Sequence, residues 1–129
     1  MTKSQPTVAI LGASDDRRKF GNKSLRAHLT CGYTAYPVNP RGGTIEGLTA
    51  YASLADVPGD LDRVSVYLPP GRTLAALDEI AAKGCRELWL NPGTTDSAVR
   101  ARAAELGLNA VEGCSIVDLG VSPGDFPDA

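Results

Sequence analysis

The chain has 129 residues, 43% hydrophobic and 22% charged, with a net charge of −2. This describes one soluble globular domain, and the absence of a basic cluster argues against a nucleic-acid partner. Three scattered cysteines (Cys31, Cys85, Cys114) and one histidine (His28) fit neither a disulfide framework nor the spacing of a metal site, so no metal is expected. No apolar run approaches the roughly 20 residues that cross a bilayer. The polar start MTKSQPT is too short for a signal peptide, so a cytoplasmic protein without membrane partners is expected.

The first element is an apolar strand, Val8 to Leu11, of the kind buried on both faces of a parallel sheet. It runs into Gly12-Ala13-Ser14, a small-residue turn that lets a ligand approach the main chain. A charged loop and Gly21 follow, then a helix over Lys23 to Cys31 with Leu25 and Leu29 on one face and Gly32 as its stop. Thr34 to Val38 is a second strand, ended by the loop formers Asn39-Pro40-Arg41-Gly42-Gly43, and Ile45 to Tyr51 supplies a short third strand. Ser53 caps a single helical turn. Arg63 to Leu68 is a strand closed by Pro69-Pro70-Gly71, and the helix Thr73 to Lys83 buries Leu74, Leu77, Ile80 and Ala81. Strand Glu87 to Leu90, loop Asn91 to Thr94, a helix presenting Val99, Ala103 and Leu106, and strand Leu108 to Val111 complete the alternation. Residues 1–121 form the domain, and 122–129, with two prolines and two aspartates, are expected to be a loose tail.

Strands alternating with helices of about 10 to 12 residues predict an α/β fold: a single open, doubly wound parallel sheet of the Rossmann type. Ligands of such sheets bind beyond the carboxyl ends of the strands. Those ends are Gly12–Ser14, Asn39–Arg41, Leu68–Arg72, Asn91–Thr94 and Glu112–Cys114. A strand, a small-residue turn and a helix N-terminus also form a phosphate-binding device.

A dinucleotide fingerprint would place further glycines after Gly12 and an acidic residue after the second strand. Here Ser14 and Arg17 hold the glycine positions, and Asn39-Pro40-Arg41 replaces the carboxylate. Arg41 suits a phosphate on a ribose, which favours coenzyme A or NADP over NAD. NPRGG read as a plain turn with a solvated Arg41 is the alternative. Ser14 either binds a phosphate or caps the turn, Lys23 either reaches a phosphate or is solvated, and Arg17-Arg18-Lys19 is either a solvated loop or an anion clamp. His28 lacks a recognisable carboxylate or nucleophile partner. Trp89 reads as core, and Tyr67 packs at the border of the proposed cleft.

Several segments carry a resemblance: Gly12-Ala13-Ser14, the later Gly21, PVNPRG (37–42), AYASLADVPGDLD (50–62), the proline after RVSVYL, and the Gly113-Cys114 pair after the last strand. Together, over about Pro6 to Asp118, the chain resembles the small stand-alone coenzyme A-binding domain family, which is similar to the nucleotide domain of the succinyl-coenzyme A synthetase α subunit. The resemblance implies that Gly12, Ala13, Ser14, Gly21, Asn22 and Lys23 hold phosphates. It places Asn39, Pro40 and Arg41 at the adenosine end and Pro69 and Pro70 along the cleft. Asn91-Pro92-Gly93 departs from the more apolar loop of that family. Cys114 falls where the family has a recurring cysteine, within possible reach of the coenzyme's thiol.

No catalytic residue is expected. The favoured function is non-catalytic binding of coenzyme A or acyl-coenzyme A, as a sensor, a carrier or the partner of another enzyme. The alternatives are an NADP-binding oxidoreductase, for which the chain has no substrate domain, and a reduced acyl-coenzyme A synthetase subunit. In the resembling synthetases the phosphorylated histidine lies in a further domain. A homodimer or a protein partner accords with either reading.

Overall fold

In the computed structural model, which describes residues 5–129, β1 (Thr7–Leu11) is the strand on which two cores meet. Residues 1–4, part of the stretch weighed as a signal peptide, lie outside the described residues. The alternation along β1 explains its continuous apolar run. Val8 and Ile10 pack beside Leu25 of α1 (Phe20–Thr30), while Ala9 and Leu11 join Leu77 and Ile80 of α2 (Pro70–Lys83) and Val99 and Ala103 of α3 (Ser97–Glu105). Both faces of the strand are therefore dry.

The sheet has five strands, all paired in parallel: β1, β2 (Thr34–Val38), β5 (Arg63–Val66), β6 (Glu87–Leu90) and β7 (Ala110–Glu112). Their order is β2-β1-β5-β6-β7. From β1 the chain crosses through α1 to one edge, and from β5 it crosses through α2 and α3 to the other. The expected doubly wound α/β architecture is present, and its switch point lies between β1 and β5.

Several local expectations are corrected. Both α1 and α2 begin three residues earlier than Lys23 and Thr73. In α2 this is because Pro70 occupies its first turn, where a missing N–H costs nothing. Leu29 and Leu74 remain 38% and 39% exposed, since Leu25 alone of the α1 pair and Thr73, Leu77 and Ile80 of α2 face the sheet. The third strand is not a sheet strand. It is an antiparallel hairpin of β3 (Thr44–Ile45) and β4 (Leu48–Thr49), turned by Glu46 and Gly47 at φ 50° and 77°. Two consecutive positive φ values match the twist of a tight hairpin, and just beyond it Tyr51 bridges Val38 of β2 in parallel, with hydrogen bonds to Pro37 and from Asn39.

The segment 122–129 is docked, not loose. Ser122 caps a 3₁₀ turn (Pro123–Asp125) in a reciprocal pair with Asp125, and Phe126 is buried against Ala27 and Ile116. α4 (Ser115–Asp118) supplies that floor.

The tightest backbone approach is at the switch point. Gly12 has φ +83°, and a Cβ there would lie 2.6 Å from the carbonyl oxygen of Tyr67. A Cβ on Gly21 would collide with the carbonyl oxygen of Gly12. Gly12→Ala is expected to lose about 1–3 kcal/mol from the strained φ alone. At Gly21, alanine would ordinarily gain up to about 1 kcal/mol of helix propensity, and the collision reverses that sign. Urea unfolding of both variants checks this; a Gly21→Ala protein more stable than the parent would refute the contact.

Candidate functional site

The carboxyl ends of four strands open onto one cleft of about 1190 Å³. β1 contributes Gly12–Asp16, β2 contributes Asn39–Gly42, β5 contributes Tyr67–Pro69 and Arg72, and β6 contributes Pro92–Thr94. Lys19, Phe20 and Gly21 form the lip at the start of α1, and Thr44 and Ile45 of the hairpin close one side. The fifth segment, Glu112–Cys114, is not among the lining residues. Instead, Cys114 packs against the Ala27–Ile116–Phe126 cluster, so the expected approach of the coenzyme's thiol to it has no counterpart in this cleft.

Of the expected site residues, Gly12, Ala13, Ser14, Gly21, Asn39, Pro40, Arg41 and Pro69 come together in the cleft. Ser14 Oγ accepts from the Asp16 amide at 3.0 Å, which is the capping role, and keeps its own proton for a partner. Asn39 works from behind: its Nδ2 donates to the Ala13 carbonyl at 2.9 Å and its Oδ1 accepts from the Arg41 amide at 2.9 Å. The loop after β2 is thereby tied to the glycine turn. Asn22, fully buried, donates to the Ser14 carbonyl at 2.8 Å and to Glu46 at 3.1 Å. Burial works to raise the Glu46 pKa, but hydrogen bonds from Asn22 and Arg17 outweigh it and hold the carboxylate below its usual range. Pro70 starts α2 and does not line the cleft. Lys23 points away, its Nζ bonded to the Phe126 carbonyl and to Asp128, both at 2.6 Å. Two positions after Gly21, Lys23 projects from a different face of α1, and the spacing in the sequence does not reveal what covers it.

Charge sorts cleanly. Of the 13 lysines and arginines, Lys3 lies outside the described residues. Nine others have an ion pair or side-chain hydrogen bond within the chain: Arg17, Arg18, Lys23, Arg26, Arg63, Lys83, Arg86, Arg100 and Arg102. Among the described residues the remaining three, Lys19, Arg41 and Arg72, have no such partner, and all three line the cleft. The Arg17-Arg18-Lys19 run, read as either a solvated loop or an anion clamp, is divided. Arg17 and Arg18 serve Glu46 and Asp16, the latter held at about 2 by Arg18, while Lys19 faces the cleft. Arg72 was not singled out from the sequence, where nothing separates it from any other arginine at the start of a helix.

A buried polar layer underlies the far end of the cleft. Asn91, 1% exposed, donates to Ser65 Oγ at 2.9 Å and to the Val66 carbonyl at 2.8 Å, and accepts from the Ser115 amide at 2.9 Å. Ser115 Oγ meets Ser65 Oγ at 2.8 Å and the Tyr67 hydroxyl at 3.2 Å. The atypical asparagine of the β6 loop is thus a structural pin between β5, β6 and α4. His28, fully buried, bonds through Nδ1 to the Ser24 carbonyl at 2.8 Å, and Tyr33 packs edge-on to its ring. Trp89 is core, as expected, with the Arg63 guanidinium 4.9 Å above its ring.

Comparison with known proteins decides what kind of cleft this is. Residues 6–120 match the family model of the CoA binding domain. The chain belongs to that family. Coenzyme A is accordingly its nucleotide ligand. The chain is 33% identical over 82 residues to the alpha subunit of the ADP-forming acetate–CoA ligase II of Pyrococcus furiosus, a match covering 61% of this chain and 18% of that protein. Across six such curated ligases and synthases, it spans 11 to 19% of their length. A Thermus thermophilus structure superposes with a TM-score of 0.82 at 31% identity, covering 88% of this chain and 87% of the other. The dinucleotide-forming acetyl-coenzyme A synthetase 1 of Ca. Korarchaeum cryptofilum superposes with a TM-score of 0.72 at 26% identity, covering 81% of this chain but 25% of its own. No described helix is long and apolar enough to cross a membrane.

His28 makes this CoA-binding domain sensitive to acid. Burial, assisted by the nearby Arg63 charge, pulls its pKa down to about 4, against the ordinary 6.5. The unfolded chain takes up the proton first. The stability His28 allows is therefore complete above pH 6.5 and is lost as pH falls towards 4, by up to about 3 kcal/mol. Unfolding free energies of parent and His28→Phe between pH 6.5 and 5 should show the flatter slope for the variant; equal slopes would refute the assignment.

Proposed function

We propose that this chain holds coenzyme A or an acyl-coenzyme A without catalysing a reaction on it, as a sensor, a carrier or the partner of another enzyme. The observation that carries this reading is the set of three cations without internal partners, all lining one cleft. Coenzyme A carries a ribose phosphate and a diphosphate. Arg41, beyond β2, meets the ribose phosphate, while Lys19 and the Gly12–Ser14 turn meet the diphosphate at the mouth of α1. Arg72 faces the same crevice from α2. The pantetheine arm then runs over Tyr67 and Pro69 towards Pro92–Thr94.

The titratable groups of the cleft favour holding over reacting. Asp16 is committed to Arg18, and burial raises the Tyr67 pKa despite its hydrogen bond to Ser115. His28 and Ser24 are buried outside the cleft lining. A second reading, a subunit that works with a separate nucleotide-binding protein, draws on the ligase subunits among the relatives and would make the partner another polypeptide.

Calorimetry with coenzyme A and dephospho-coenzyme A tests the assignment. The parent chain is expected to bind coenzyme A in the micromolar range or tighter and to prefer it over the dephospho form. Arg41→Ala should remove that preference, a loss of about tenfold or more for one charge-assisted contact. Arg72→Ala should weaken both ligands equally and leave the preference intact. Acetyl-coenzyme A formed from acetate, ATP and coenzyme A by the chain alone would overturn the non-catalytic reading.

A further inference from the structure

Two charged side chains that ordinarily stay in water, Lys23 and Arg26, are buried one turn apart on α1, to 8% and 9% exposure. Burying a charge is costly unless it is paired and hydrogen-bonded. Here the pairing comes from residues 126–129. Lys23 Nζ donates to the Phe126 carbonyl and the Asp128 carboxylate, and Arg26 Nη2 donates to the Pro127 carbonyl at 2.9 Å. The same helix also reaches the cleft. Arg26 Nη2 also donates to the Arg17 carbonyl at 3.0 Å, and its Nε donates to Asn22 Oδ1 at 2.7 Å, while Asn22 holds the Ser14 carbonyl. Arg17 closes the circuit, donating to the Ala129 carbonyl at 2.8 Å and to Glu46 at 3.1 Å. Ser14 and Arg17 tie the cleft's own loop, 14–19, to α1 and to Ala129, while Lys23 and Arg26 tie α1 to residues 126–128.

That segment lies beyond the family's matched region, which ends at residue 120. Burial lowers the Arg26 pKa, and the Arg17 charge beside it adds to that effect. With the segment removed, Asp128 no longer offsets that repulsion, Glu46 is left to do so alone, and Arg17 keeps only its hairpin contact. The loop then loses its brace on the side away from the ligand.

We propose that residues 122–129 are a strap that holds the 14–19 loop in its coenzyme-binding geometry, with Arg17, Lys23 and Arg26 as positioning residues. The strap touches no ligand. It acts by cancelling charge behind the loop and by anchoring Phe126 against Ala27 and Ile116. Linkage then requires the reverse effect: coenzyme bound in the cleft must stabilise the docked strap by the same factor by which the strap strengthens binding.

Two measurements test this on the full chain and its variants. Calorimetry with coenzyme A should show Lys23→Met and Asp128→Asn each weakening binding several-fold, with no further loss in the double variant, because both break one link. Deleting 122–129 should weaken it on the order of tenfold while the far-UV circular dichroism stays that of the parent. Hydrogen exchange on the parent supplies a readout that survives any unfolding of the deletion. Coenzyme A should slow exchange at the hydrogen-bonded amides of Gly124, Asp125 and Phe126. Unchanged or tighter binding in folded variants, additive losses in the double variant, or exchange at those three amides indifferent to coenzyme A would overturn the strap.

Discussion

Where β1 and β5 end side by side, their following turns come so close that Gly12 has room for no side chain, and Gly21 is pressed against Gly12 in turn. This contact makes the cleft possible. The two strands feed helices on opposite faces of the sheet, so the backbone must part at this point, and the crevice between them is where a ligand can meet main chain instead of side chains. A bulkier residue at either glycine would push the lip of α1 away from the turn. The anion site would then lose its shape before any charged group was touched.

Around that contact the chain uses asparagines as rivets. Asn39 ties the β2 loop to Ala13, Asn22 ties α1 to Ser14, and Asn91 ties β6 to β5 and α4. Each has both a donor and an acceptor, so one side chain can satisfy a loop carbonyl and a second group at once. The charged residues are divided on a different principle. Those that hold the fold have partners, and among the described residues the three left over line the cleft.

The fold was readable in considerable detail because its signals are local. Apolar runs of strand length, helical periodicity and glycine or proline stops lie within a few residues of one another, and they place β1, β2, β5 and β6 within a residue or two of their observed positions. The small-residue turn and Arg41 were legible for the same reason, since each sits at a strand end. Arg72, the parting of Lys19 from Arg17 and Arg18, and the Glu46 hairpin were not. Their part in the cleft depends on which neighbours are already occupied, and no window of sequence contains that. The docked C-terminal segment was misread because prolines and aspartates describe a loose tail equally well when the partners, Lys23 and Arg26, stand about a hundred positions away.

Sequence alone determined the class of protein: a doubly wound sheet, a small-residue turn without a dinucleotide fingerprint, and an arginine where an NAD domain would carry a carboxylate. Those features follow from backbone conformation and residue type at single positions. Tertiary structure decided which cations remain free. A lysine or arginine becomes a ligand group only if the fold gives it no internal partner, and pairing is settled by contacts between distant segments. By that rule Lys23 became part of the scaffold and Arg72 part of the cleft, although their side chains carry the same charge.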